Sequence, residues 1–318
     1  MGKARHEALM AEALRQAEKA SGMTFPNPAV GAVVVRDNRV VSRGYHRRWG
    51  EPHAEVVALR RAGTLARGAD LYVTLEPCAH FGKTPPCTDA IAAGGIRRVY
   101  IATLDPNPLV NGKGAGALRR AGIAVSTGCL GAAARKLNEA YFKFMNTGLP
   151  FVTLKVAQTI DGRIADEAGH SRYITSPESR RLVKAMRRMS QAVLVGVDTV
   201  VHDDPSLLPA RGAAGPHLRC VLDTHLRIPA GARLVRTAAV HPTLVYFNHD
   251  KSKRLKLLEK YGVRGVKVGS RGAAAVELRK VLEHLGGLGV QHLLVEGGAG
   301  VFSSFVRCGH TDKLVVFM

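Results

Sequence analysis

The chain has 318 residues, 46% hydrophobic and 22% charged, enough for two domains of ordinary size with buried cores, which excludes disorder as the dominant state. Against 25 acidic residues stand 46 lysines and arginines, a net charge of +21 that divides as +10 up to Asn146 and +11 beyond it, so no basic tail concentrates affinity for nucleic acid. No run approaches the ~18 apolar residues of a membrane span, the amphipathic N-terminal stretch lacks an apolar h-region, so no leader is expected, and five scattered cysteines suit a reducing cytoplasm.

The first half alternates in chain order: a helix over 3–20, a hairpin of strands around 30–35 and 40–45, a helix over 54–66, a strand over 70–75, a helix over 86–94, a strand over 97–102, a helix over 114–121, a strand over 123–127 and a helix over 131–145. Arg36-Asp37-Asn38-Arg39 has the chemistry of a tight hairpin turn. Repeated strand-helix units predict an α/β fold with helices on both faces of a central sheet, a three-layer domain. Asn146-Thr-Gly-Leu-Pro150 interrupts the last helix, which sets the expected domains at 1–146 and 147–318. Beyond it strands are expected near 151–158, 192–197, 219–223, 243–247, 263–268, 290–296 and 312–317, with helices near 177–189, 252–261, 274–285 and 299–307.

His53-Ala54-Glu55, Glu76-Pro77-Cys78 and Cys87 carry the strongest chemical signal. One imidazole and two thiolates form a tetrahedral zinc set with the fourth position open, as a catalytic zinc requires. Glu55, two residues beyond a ligand at a helix start, can reach a reacting water without occupying the coordination shell. Pro77 and Pro86 each predict a helical turn at the following cysteine, where the helix N-terminus lowers the thiol pKa. His-x-Glu with Pro-Cys-x-x-Cys marks the zinc base deaminases; here eight residues, AHFGKTPP, separate the cysteines instead of two.

The runs TFPNPAVGAVVV, GYHRRWGEPHAEVVALR, YVTLEPCAHFGKTPPCTDAI and ATLDPNPLVNGKG, followed by LKVAQTIDGRIA, SRYITSPESR, VGVDTVVHDDPSL and LLVEGGAGVFSSF, resemble the bifunctional deaminase/reductase family of riboflavin biosynthesis over nearly the whole chain. The resemblance implies a cytidine-deaminase-like domain followed by a dihydrofolate-reductase-like domain, with Zn2+ and NADPH as cofactors. The first activity would deaminate 2,5-diamino-6-ribosylamino-4(3H)-pyrimidinone 5′-phosphate, and the second would reduce the ribosyl group of 5-amino-6-(5-phosphoribosylamino)uracil to ribityl. Phosphorylated pyrimidines are then the expected partners, with no nucleic acid and no membrane, and homo-oligomerisation stays open. A deaminase with an incomplete reductase domain and a tRNA deaminase are the alternatives.

By the same resemblance His53, Cys78 and Cys87 hold the metal and Glu55 is catalytic, while Asn27, His46, His80, Lys83 and Thr84 contact the deaminase substrate. Asn27 lies in a Pro-Asn-Pro turn suited to aiming an amide at a base, and Lys83 lies on a Gly-containing loop suited to phosphate. In the second half Lys155, Ala157, Tyr173, Thr199, Asp203, Thr224 and Gly298 fall on the cofactor side and Ser171, Arg187, Leu207 and Glu296 on the substrate side, with the guanidinium fork of Arg187 suited to a ribose phosphate. No Gly-x-Gly-x-x-Gly is present; the expected phosphate-binding turn is Glu296-Gly-Gly-Ala-Gly300 before a helix. Asn111-Gly-Lys-Gly-Ala-Gly116 is read as a turn and not as a nucleotide cradle. Family members have a basic residue closing the Asp-Asp-Pro run that is displaced here to Arg211, and they continue past residue 318, so the reductase domain is expected to be shortened.

Overall fold

The structure is a computed structural model that describes residues 2–164, 174–209, 217–250, 253–269 and 275–318, and it separates into two units, Met1–Asn146 and Thr147–Met318. In the first, chain order is α1 (Lys3–Glu18), β1 (Gly31–Arg36), β2 (Arg39–Tyr45), α2 (Ala54–Ala62), β3 (Asp70–Val73), α3 (Cys87–Ala93), β4 (Arg98–Ile101), α4 (Lys113–Arg120), β5 (Ala124–Thr127), α5 (Gly131–Leu137) and α6 (Glu139–Thr147). The sheet runs β2-β1-β3-β4-β5, with β1 antiparallel to both neighbours and β3, β4 and β5 parallel. Asp37 and Asn38 take positive φ (49° and 60°) in the β1–β2 turn, the left-handed pair that a two-residue hairpin requires.

Alternation along β1 builds both cores of this unit. Ala32 and Val34 pack with Ala54, Ala58 and Leu59 of α2, whereas Val33 and Val35 pack with Leu9, Met10 and Ala13 of α1. The helix expected over 131–145 is broken at Asn138. The reason is a buried amide: Asn138 Nδ2 donates to the carbonyl of Ala29 at 2.9 Å, and its Oδ1 accepts from the Ala29 N–H at 2.8 Å. That break ties α5 and α6 to the segment that carries Asn27.

The second unit runs β6 (Phe151–Ala157), α7 (Pro177–Arg188), β7 (Ala192–Gly196), α8 (Val197–Asp203), β8 (Leu218–Leu222), α9 (Arg233–Arg236), β9 (Thr243–Phe247), α10 (Leu255–Glu259), β10 (Arg264–Lys267), α11 (Leu278–Gly287), β11 (His292–Gly297), α12 (Ala299–Arg307) and β12 (Lys313–Phe317). Its sheet order is β10-β9-β8-β7-β11-β6-β12 with every pairing parallel. Both faces of its central strands are buried, as parallel sheets require: Val193, Val195, Val221 and Val245 face one core, Leu194, Cys220, Leu244 and Tyr246 the other. Helices α8 and α9 are additions to the sequence expectation, both too short for periodicity to reveal. The helix expected over 252–261 narrows to α10 because Asp250 accepts from the N–H groups of Arg254 and Leu255, which fixes its start. Strand order steps from β7 across β11 to β6, and the C-terminal ends of these three strands open a crevice of the kind that binds ligands in open α/β sheets.

Candidate active sites

In the first unit His53 is the N-cap of α2 and Cys87 is the first residue of α3. The helical turn expected at Cys78 is absent: Cys78 lies in irregular chain after β3, held where its sulfur accepts from the Cys87 N–H at 3.4 Å. His53 Nδ1 stands 3.2 Å from Cys87 Sγ and 3.6 Å from Cys78 Sγ. A tetrahedral zinc with nitrogen at about 2.0 Å and sulfur at about 2.3 Å separates its ligand atoms by roughly 3.5–3.8 Å, so this donor set fits the ion. Among the described residues no other group of three His, Cys, Asp or Glu side chains converges in this way. Hydrogen bonds from Cys87 and His53 hold the Cys78 thiol well below the usual thiol range, against the opposing effect of burial.

Glu55, in the first turn of α2, is 3% exposed, and its Oε2 is buried without a hydrogen-bond partner. Burial raises its pKa. Such an orphaned oxygen beside a metal-ligand triad is costly unless something arrives to use it. The cavity in front of it measures about 190 Å³ and is lined by Glu55, His53 and Cys78 together with all five residues expected on the substrate side, Asn27, His46, His80, Lys83 and Thr84. Buried His46 donates from Nδ1 to the Pro52 carbonyl (3.3 Å), so its Nε2 accepts from Asn27 Nδ2 (3.1 Å) and fixes that amide. Burial lowers the His46 pKa, the direction that favours the neutral ring.

Among the lining residues that escaped the sequence reading are Trp49, Asp105, Asn107 and Tyr141. Asp105 Oδ1 accepts from Tyr141 Oη and from the Asn107 N–H, both at 2.9 Å. Glu76 organises the same loop, since its carboxylate accepts from the N–H groups of Asp105 (3.3 Å), Gly112 (2.9 Å) and Ala115 (2.9 Å). The Asn111–Gly116 run thus turns its N–H groups on an internal carboxylate. A Cβ on Gly114 would lie 1.9 Å from the Pro77 carbonyl, so glycine there lets α4 close against the residue preceding Cys78. A signal existed in the Asp-Pro-Asn-Pro run, but nothing local reveals that Tyr141 reaches it.

In the second unit a cleft of about 450 Å³ opens at the ends of β6, β7 and β11, lined by Lys155, Ala157, Thr199, Asp203 and Gly298 of the expected cofactor set and by Arg187, Leu207 and Glu296 of the expected substrate set. Thr224 is not among the lining residues; it follows β8, where its carbonyl accepts from the N–H groups of Asn248 and His249. Ser171, Tyr173 and Arg211 lie outside the described residues. Arg187 is turned from the orientation expected of a phosphate ligand: Nε and Nη2 donate to the two oxygens of Glu296 at 2.5 and 2.7 Å, and Nη1 donates to the Leu208 carbonyl at 3.2 Å. Burial lowers the Lys155 pKa, with Arg187 adding to the effect and Glu296 opposing it. Gly298, at φ 93°, caps the N-terminus of α12 without a side chain, and a Cβ on Gly297 would lie 2.8 Å from Thr199 Oγ1. Backbone N–H groups at that open helix end suit the phosphates of a dinucleotide, so the residues fit NADPH.

Comparison with known proteins agrees with this division. The model of the cytidine and deoxycytidylate deaminase zinc-binding region matches residues 3–103, and that of the RibD C-terminal domain matches residues 150–318. The riboflavin biosynthesis protein RibD of Aquifex aeolicus is 47% identical over 96% of this chain and 84% of its own length; that of Bacillus amyloliquefaciens is 45% identical over 97% and 82%. Acinetobacter baumannii RibD superposes with a TM-score of 0.87 at 37% identity, covering 99% of this chain and 86% of that one. A Thermotoga maritima protein described as a diaminohydroxyphosphoribosylaminopyrimidine deaminase/5-amino-6-(5-phosphoribosylamino)uracil reductase gives a TM-score of 0.86 at 37% identity, with the same coverage. With one match on each unit and whole-chain similarity to these relatives, the chain belongs to the RibD family, the bifunctional zinc-dependent deaminases and NADPH-dependent reductases of riboflavin biosynthesis.

Proposed function

We propose that the first unit deaminates 2,5-diamino-6-ribosylamino-4(3H)-pyrimidinone 5′-phosphate at C2 with release of ammonia, and that the second reduces the ribosyl group of 5-amino-6-(5-phosphoribosylamino)uracil to ribityl. The observation that carries the first step is the buried, unpartnered Oε2 of Glu55 beside the His53, Cys78 and Cys87 donor atoms. These three residues would hold zinc, which when bound would supply Lewis acidity beside Glu55. Glu55 takes the proton of the attacking water and returns it to the departing amine, a role consistent with the upward shift that burial gives its pKa. Asn27, locked by His46, presents its amide to the pyrimidine edge, and His80, Lys83 and Thr84 hold the 5′-phosphate.

In the second unit bound NADPH supplies the hydride, and the protein supplies orientation. Lys155, Ala157, Thr199, Asp203 and Gly298, with Tyr173, hold the cofactor. Arg187 and Glu296 act as one bidentate unit on the substrate side with Leu207 and Ser171. The partners are small phosphorylated pyrimidines and not nucleic acid or membrane, and the five free thiols accord with a cytoplasmic location. A coupled assay of ammonia release and NADPH oxidation on the two intermediates tests the assignment. Glu55→Gln is expected to lose ammonia release and keep NADPH oxidation on the deaminated substrate; ammonia release at the unmodified rate would refute the role of Glu55.

A further inference from the structure

Two loops meet over the mouth of the deaminase cavity. One runs from the end of β2 to the metal ligand His53 and carries Trp49; the other is the eight-residue stretch between Cys78 and Cys87 and carries Lys83. Lys83 Nζ stands 3.3 Å from the centroid of the Trp49 ring, and both side chains line the cavity. Trp49 is 52% exposed, so hydrophobic burial does not explain its place, and among the described residues no carboxylate pairs with Lys83.

We propose that Trp49 is a positioning residue of the deaminase site, whose indole face parks the Lys83 ammonium at the cavity rim ready for the phosphate of the substrate. The proposal rests on the reading of Lys83 as a phosphate ligand. A free lysine on a glycine-containing loop samples many rotamers, and ordering it on binding costs affinity. An ammonium resting on an aromatic face is already ordered, and its N–H donors that point away from the ring remain able to reach phosphate oxygens. The two contacts therefore coexist. Because each loop ends at a metal ligand, the bridge also holds the phosphate cation in register with the reacting centre.

Trp49 is the chain's only tryptophan, so its fluorescence reports on this cavity. Titration of the zinc-loaded full chain with ribose 5-phosphate is expected to shift the emission, and K83M to abolish the shift. W49A is expected to raise KM for the phosphorylated pyrimidine about two- to fivefold, the span of an exposed cation–π contact, with kcat changed less than twofold, and W49F to recover most of the loss. An unchanged KM in W49A, or an equal rise for the dephosphorylated pyrimidine, overturns the positioning role while K83M still raises KM. If K83M leaves that KM unchanged, the phosphate reading of Lys83 has failed and the proposal falls with it.

Discussion

The deaminase cavity draws its reactive groups from two short stretches, 53–55 and 76–87, and leaves them partly unsatisfied: three donor atoms crowd within 4.8 Å of one another and a carboxylate oxygen of Glu55 has no partner. The reductase cleft draws Lys155, Arg187 and Glu296 from elements far apart in the chain and satisfies two of them in advance, since Arg187 and Glu296 share two hydrogen bonds. A small site that receives an ion can store unpaired donors because the ion neutralises all of them at once. A wide cleft that receives a dinucleotide and a sugar phosphate has no single partner of that strength, so its buried charges must pair with each other to be tolerated.

The largest effects should come from the unsatisfied site. Cys87→Ala is expected to lose bound zinc in elemental analysis, and Glu55→Gln to keep the metal yet slow ammonia release by about 10²–10⁴-fold. Neither should alter NADPH oxidation on the deaminated substrate; if either did, the sites would not be independent. Next, Arg187→Ala strands a buried carboxylate and is expected to destabilise the second unit by about 3–5 kcal/mol, read as faster hydrogen exchange in β7 and β11 with zinc content unchanged. Arg187→Lys should not restore it, because an ammonium cannot reproduce the two-pronged contact.

A smaller effect separates the units by pH. Burial, with the charge of Arg187 nearby, lowers the His217 pKa from 6.5 to about 4. The unfolded chain therefore binds more protons at this position between those values, and stability rises with pH through the window and is lost as pH falls. Exchange protection around β8 should drop by about 3 kcal/mol between pH 7 and pH 4, and His217→Gln should flatten that dependence. A profile unchanged in the variant would assign the acid sensitivity elsewhere. Smallest of all, Tyr141→Phe removes one donor from buried Asp105 and should lower thermal stability of the first unit by about 1 kcal/mol while raising KM for the pyrimidine. An unchanged KM would confine Tyr141 to a packing role.

Legibility followed the same contrast. That His53, Cys78 and Cys87 converge near Glu55 was legible because ligand chemistry demands particular residue types at short separations, and all five expected substrate contacts of the first unit do line one cavity. In the second unit the Gly297-Gly298 turn was readable from its place between strand and helix. The engagement of Arg187 by Glu296 was not, since the two lie on α7 and β11 and meet only through the fold. Propensity along 131–145 is continuous and predicts helix through Asn138; the bond of Asn138 to the backbone of Ala29 overrides that propensity.

Periodicity, turn chemistry and ligand spacing are local along the chain, and they suffice for the alternation of strands and helices, the hairpin at Asp37-Asn38 and the choice of His53, Cys78 and Cys87 as candidate metal donors. Only the tertiary structure decided that Glu76 and Tyr141 fasten the loop bearing Asp105, that Trp49 meets Lys83, and that Thr224 stands apart from the cleft lining. Those contacts depend on which strands lie side by side and how far each loop reaches past them, and the order β7-β11-β6 is set by packing two cores at once and not by any one segment.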